Sequence, residues 1–140
     1  MVLVDSFPYG NAVMVETVGT AIPEAFRDRL EMDQEESLYV LYAHLSDFPT
    51  AVLLENIPAC SQIGLVGKSG NAGVPHLHME TRIGPSGEMF AGMSYYSTQT
   101  TPEERANYIR WRTSGDFAHF DPFWLFEIHA LNVFSAGEDK

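Results

Sequence analysis

Short runs rich in β-forming residues, each bounded by turn residues, recur along the first 83 positions and are the strongest constraint on the fold. Their sequences are MVLVDS (1–6), NAVMVET (11–17), SLYVLYAHLS (37–46), AVLLENI (51–57) and HLHMETRI (76–83). The first two flank FPYG, a Pro- and Gly-containing turn that predicts a β-hairpin. We therefore expect a mainly β fold, a small antiparallel sheet or sandwich with one or two helices inserted in its loops.

Two segments outside these runs predict helices. The segment TPEERANYIRWR (101–112) starts with Thr101 as a favourable N-cap, followed by proline and two acidic residues. The acidic segment PEAFRDRLEMDQEES (23–37) places Phe26 and Leu30 four residues apart, on one face of a helix. We interpret the second segment as a solvated helical insertion.

Length and charge restrict the classes of function. The 140 residues predict one domain, spanning 1–140. The net charge of −11 argues against a nucleic-acid partner and against tight binding to anionic membranes. No apolar run reaches 18 residues, so no membrane span is expected, and Cys60 is the single cysteine. The apolar segment DPFWLFEIHALNVF (121–134) is expected to dock on the sheet.

The segment GNAGVPHLHMETR (70–82) contains the most chemically specific pattern. His76 and His78 are two residues apart, so on a strand both imidazoles face the same side. Such a pair fits either a metal site or a polar pocket, and its spacing leaves both interpretations open. His44 ends another predicted strand, whereas His119 and His129 in the apolar tail are expected to lie at the surface.

The order of these segments resembles the lysostaphin and LytM type of zinc metallopeptidases, most of which cut peptide cross-links in bacterial peptidoglycan. The resemblance is carried by YGNAVMVE, LYVLYAHLS, IGLVGKSGNAGVPHLHMETR and FDPFWL, between Tyr9 and Leu125. Residues 23–36 and 87–115 are then insertions. The resemblance implies the lysostaphin-type fold, called the duplicated hybrid motif, and a zinc cofactor.

The resemblance also implies roles for the histidines. His78 matches the zinc ligand, and His76 matches the general base that acts on the attacking water. His44 matches the histidine that orients this water and stabilises the tetrahedral intermediate. Glu80 and Arg82 follow His78 on the same strand face and are either supporting partners of the site or a surface ion pair.

Glycines and a cysteine lie between His44 and His76 in the sequence. Gly64, Gly67 and Gly70 suit tight turns that bring those strands together. Cys60 stands where the family usually has a glycine.

The match departs from the family at the other two zinc ligands, which come from an H-x-x-x-D motif on an earlier strand. No histidine precedes His44, so the chain supplies one of three protein ligands and reads as an N-terminally incomplete domain. Replacement ligands from Asp5, His119 or Asp121 are conceivable. A missing first strand would expose a sheet edge, which predicts a marginally stable chain or one that associates with another chain.

Three functional interpretations follow. The first is a zinc metalloendopeptidase-like domain for peptidoglycan cross-link peptides, expected to be weak or inactive alone. The second is a non-catalytic module that binds the cell wall or a partner hydrolase. The third is an unrelated β domain with structural histidines. The resemblance implies an extracytoplasmic location in the cell envelope, although the N-terminus lacks the pattern of a signal peptide.

Overall fold

The backbone of the computed structural model, which describes residues 1–47 and 56–126, is dominated by β-strands. The strands are β1 (Val2–Ser6), β2 (Gly10–Val18), β3 (Glu36–Asp47), β4 (Leu65–Val66), β5 (His78–Pro85) and β6 (Ala118–His119). The helices are a 3₁₀ turn (Gly19–Ala21), α1 (Glu24–Arg29) and α2 (Pro102–Arg112). The expectation of a mainly β fold with short helices in its loops is confirmed.

The described strands form one antiparallel sheet, in the order β1-β2-β3-β5-β6, with β4 paired to the end of β3. The predicted hairpin is β1 and β2. Most of the strand predicted at 51–57 lies outside the described residues, and positions 56 and 57 are not in a strand. Ala43 of β3 pairs with His78 of β5, so the strands that carry two of the histidines are direct neighbours.

One face of the sheet is covered by α2 and by the segment that precedes it, which together make up most of the 87–115 segment. Alternation along β3 directs Tyr39, Leu41 and Ala43 to this face. They pack with Trp111, which is fully buried, and with further apolar side chains. The remaining members of this cluster are Leu3, Tyr9, Ala12, Met14, Phe90, Met93, Tyr108 and Phe117.

The opposite face is covered by the α1 region and by the start of the apolar tail. Leu30 is buried and Phe26 packs beside it, as their helical spacing predicts, although α1 has only six residues. Trp124 and Leu125 pack against the same cluster as the buried Phe120, so the described start of the tail docks on the sheet as expected. The rest of the predicted tail segment, 127–134, lies outside the described residues.

The predicted N-terminus of α2 is confirmed in detail. The Thr101 hydroxyl accepts a hydrogen bond from the Glu104 N–H at 3.2 Å, and the Glu104 carboxylate accepts one from the Thr101 N–H at 2.8 Å. This reciprocal capping box satisfies two N–H groups that the helix itself leaves unpaired. Among the described residues, no helix combines the length and apolar character needed to cross a membrane.

Candidate functional site

His44 occupies a bulge in β3. Asn11 pairs with Leu45 and Val13 pairs with Tyr42, so two residues of β3 lie opposite one residue of β2. A bulge of this kind redirects a side chain relative to regular alternation. The backbone of His44 has φ 60°, and its N–H donates to the Tyr9 carbonyl at 3.0 Å. A non-glycine residue in this left-handed region costs about 1 kcal/mol or more, and such residues are concentrated at functional sites.

The glycine-rich loop before β5 holds His76 beside β3. Gly67 and His76 form an isolated antiparallel bridge, in which the His76 N–H donates to the Gly67 carbonyl at 3.1 Å. A Cβ on Gly67 would lie 2.4 Å from the backbone nitrogen of Ser46 in β3. Gly70 has φ 67°, and a Cβ there would lie 2.4 Å from the Gly10 nitrogen. Gly67 thus has the close approach to β3 that was expected, whereas Gly70 packs against the β1–β2 turn.

The three histidines expected at the site converge. The ring centroid of His44 lies 4.8 Å from that of His76 and 5.5 Å from that of His78. His44 is buried, His78 is half-buried and His76 is exposed, so the cluster opens to solvent on one side. His119 lies exposed on β6, in register with Arg82, and His129 is outside the described residues.

Within the described part of the chain, hydrogen bonds leave one nitrogen of each ring open. His44 Nδ1 lies 2.8 Å from the Ser69 carbonyl, and His76 Nδ1 lies 2.8 Å from the Val74 carbonyl. Because a carbonyl oxygen only accepts, each Nδ1 carries the proton and each neutral ring has a lone pair on Nε2. His78 Nε2 lies 2.9 Å from a Glu80 carboxylate oxygen, which leaves Nδ1 of that ring open.

Glu80 is the centre of a buried network behind His78. Its carboxylate accepts from the Tyr9 hydroxyl at 3.0 Å and from Trp111 Nε1–H at 2.8 Å. The guanidinium groups of Arg82 and Arg112 each approach it at 3.4 Å. Of the two interpretations of Glu80 and Arg82, the surface ion pair is wrong, because both residues are buried at 6% exposure.

Three members of this network were not identified from the sequence. Tyr9 lies in the β1–β2 turn, while Trp111 and Arg112 end α2, about 30 residues after Glu80. Local periodicity places Glu80 on the face of His78 but carries no information about which distant elements cover that face.

The network keeps the Glu80 carboxylate ionised. Burial opposes ionisation, but hydrogen bonds from His78 and Trp111, with the charge of Arg112, outweigh it and lower the pKa of Glu80 to about 2. Burial also lowers the pKa of His44 from its ordinary value, although the hydrogen bond to the Ser69 carbonyl acts in the opposite direction. His44 is thus favoured in its neutral form, with the Nε2 lone pair available.

The donor chemistry of the cluster fits a metal ion, but the number of ligands does not complete a site. A neutral imidazole whose other nitrogen donates to a carboxylate or a carbonyl is the usual form of a histidine ligand. Within residues 1–47 and 56–126, however, no three His, Cys, Asp or Glu side chains are arranged to hold a metal. Asp5, His119 and Asp121, considered as replacements, are exposed and belong to no such group. A zinc ion here would require ligands from outside the described residues.

Cys60 is exposed and has φ 65°, the backbone region that favours glycine. The family that the sequence resembles usually has a glycine at this position, so Cys60 departs in residue type but has a backbone conformation that glycine favours.

The arrangement is suited to proton transfer, whereas a metal ion would need ligands that the described residues do not supply. Three imidazoles, each with one open nitrogen, lie on adjacent strands at the edge of solvent. A buried carboxylate holds one of them, and backbone carbonyls hold the other two.

Comparison of the chain with protein-family models, with curated proteins and with solved structures gave no match.

Proposed function

We propose that the chain is a zinc metalloendopeptidase-like domain that acts on the peptide cross-links of bacterial peptidoglycan. The observation that carries this proposal is the convergence of His44, His76 and His78, with one ring nitrogen of each left open. The bulge at His44 supports it, since the strain at φ 60° is retained at the residue that brings the cluster together. A peptidoglycan substrate would place the activity in the cell envelope, outside the cytoplasm.

His78 is the residue proposed to hold zinc, through Nδ1. Its Nε2–H donates to Glu80, which fixes the tautomer and makes the ring a better ligand. When bound, zinc would polarise the scissile carbonyl and acidify the attacking water. The remaining ligands would come from outside the described residues.

His76 and His44 are proposed to act on protons. His76 is exposed, and its Nε2 lone pair is free to take a proton from the attacking water as general base. His44 Nε2 is also an acceptor, because Nδ1–H donates to Ser69. Of the two roles that the family resemblance implies for His44, orienting the water therefore fits the neutral ring directly. Stabilising an oxyanion would require His44 to be protonated at Nε2.

Zinc content tests the metal half of the proposal. The chain is purified, equilibrated with zinc and dialysed, and zinc is measured by elemental analysis. If ligands outside the described residues complete the site, about one zinc per chain binds and is lost in His78→Ala, because a site with three protein ligands rarely survives loss of one. The matched control is His119→Ala, an exposed histidine on β6, which should retain the metal.

Release of peptides from cross-linked peptidoglycan tests the catalytic half. We expect His76→Ala to lower the rate about 10²- to 10⁴-fold, the usual contribution of a general base, with zinc still bound. Peptidoglycan binding without zinc and without cleavage would contradict the proposal and favour the non-catalytic binding module. Neither binding nor zinc uptake would favour a β domain with structural histidines.

A further inference from the structure

We propose that α2 is a positioning element for His78, acting through Glu80. Trp111 and Arg112 at the end of α2 hold the Glu80 carboxylate, and this carboxylate holds the imidazole. The functional meaning of this inference rests on the proposed function, since His78 is the candidate zinc ligand. The structural relation between α2 and the ring stands independently of it.

The contacts form a continuous path of hydrogen bonds. Trp111 Nε1–H donates to Glu80 Oε2 at 2.8 Å, while His78 Nε2–H donates to Glu80 Oε1 at 2.9 Å. Trp111 therefore binds one carboxylate oxygen, while His78 shares the other with Tyr9 and Arg112. Glu80 is 6% exposed and Trp111 is fully buried, so water competes little for these bonds.

Trp111 also orders the positive charge beside Glu80. The Arg82 guanidinium lies 5.0 Å from the centre of the Trp111 ring, and its Nη1 donates to the Phe117 carbonyl at 3.1 Å. Arg82 is thereby directed along the helix side of the sheet, with Nη2 towards Glu80. Arg112 approaches Glu80 Oε1 from α2, so two arginines flank the same carboxylate.

The helix end that supplies these groups is firmly packed. The Trp111 ring contacts Tyr39, Phe90 and Phe117, with centroid distances of 6.3, 6.1 and 5.3 Å. About one turn before Trp111, the side-chain amide of Asn107 donates to the Gly92 carbonyl at 3.0 Å. Because α2 is fixed at both of these points, the Trp111 donor is held in place beside Glu80.

The test follows the His78 ring proton by NMR in metal-free protein, using exchange of the Nε2–H proton with water. A hydrogen bond to a buried carboxylate slows this exchange. We expect Trp111→Phe and Arg112→Met to accelerate it about tenfold or more, because each removes a hydrogen bond to a charged group. Glu80→Gln should remove the slowly exchanging signal.

Matched variants separate positioning from general destabilisation. Arg110 lies on the same helix and forms ion pairs with Glu88 and Asp116. Arg110→Met removes these ion pairs without changing a contact of Glu80 or His78. Trp124→Phe alters a tryptophan on the opposite sheet face. Both should exchange at the wild-type rate. If Trp111→Phe does not fold, Arg112→Met alone tests the proposal. The Arg112 side chain is 38% exposed, so its replacement should leave the fold intact.

Wild-type exchange in folded Trp111→Phe and Arg112→Met would overturn the positioning role of α2, whether or not the protein cleaves peptidoglycan. Conversely, faster exchange in these variants upholds it even if zinc binding and cleavage are absent. Where zinc binds as proposed, Glu80→Gln should also weaken its affinity about 10- to 100-fold.

Discussion

At the scale of single residues, Glu80 joins the stability of the fold to the candidate site. It is a charged group buried between the sheet and α2, and every one of its hydrogen bonds comes from a different residue. A buried ion network of this kind adds little net stability as a whole, but removing one partner leaves an uncompensated charge. The residue that orients His78 is therefore also one that the fold cannot easily change.

The pH dependence of stability tests the charge on Glu80. Its pKa is about 2 in the folded chain and near 4.5 when unfolded, so its ionisation stabilises the fold above pH 4.5. This contribution, about 3 kcal/mol, is lost as the pH falls from 4.5 towards 2. Urea unfolding at pH 6, 4 and 2.5 should show a steeper acid loss for the wild type than for Glu80→Gln. The exposed carboxylate variant Glu103→Gln should follow the wild type, and parallel curves for all three proteins would contradict the assignment.

Sequence reasoning identified the histidines but not the local geometry that joins them. His76 and His78 share a strand face because of their spacing alone. His44 reaches them through a bulge and a left-handed backbone conformation, and histidine gives no local signal for either. Those features are determined by pairing of β3 with β2 and β5, which are contacts between distant parts of the chain.

At the scale of elements, the loop between β4 and β5 allows the strands that carry the histidines to approach each other closely. The glycine pattern predicted tight turns, and Gly67 and Gly70 have the contacts that such turns need. The pattern did not predict that Gly70 would pack on Gly10 in the β1–β2 turn. For α2, similarly, the N-terminal cap was readable from Thr101, whereas the docking of Trp111 against Glu80 was not.

Two glycines of this loop provide a matched pair of substitutions. Gly70→Ala places a Cβ 2.4 Å from backbone atoms at a φ of 67° and should destabilise the fold by about 3 kcal/mol or more. Gly73→Ala meets no described atom within 4 Å and should change stability by less than about 1 kcal/mol, in the stabilising direction if at all. Chemical denaturation of both variants measures the difference. Equal stabilities would show that the loop does not pack on the β1–β2 turn.

At the scale of the whole molecule, the exposed edge of the sheet favours association between copies of the chain, whereas the net negative charge opposes it. In the described part of the chain β1 pairs on one side only, with β2, and Val4 is 66% exposed. The strand is interrupted by a register shift between Leu3 and Ser6, where Asp5 has φ 48°. Bulges and charges at an edge limit pairing with a second chain, and the net charge of −11 adds repulsion between copies.

The predicted self-association through this edge should consequently depend on salt. Raising the ionic strength from about 0.02 M to about 0.5 M shortens the screening length from roughly 20 Å to roughly 4 Å, which weakens repulsion between copies. We expect sedimentation velocity to show a larger associated fraction at the higher salt concentration.

The variant Val4→Lys separates edge pairing from charge repulsion. It reduces the net negative charge, yet it places a lysine on the edge of the sheet, where it should lower association. Val18→Lys makes the same charge change at the end of β2 and should leave association unchanged or raise it. Identical behaviour of the two variants, or a monomer at every salt concentration, would exclude β1 as a pairing edge.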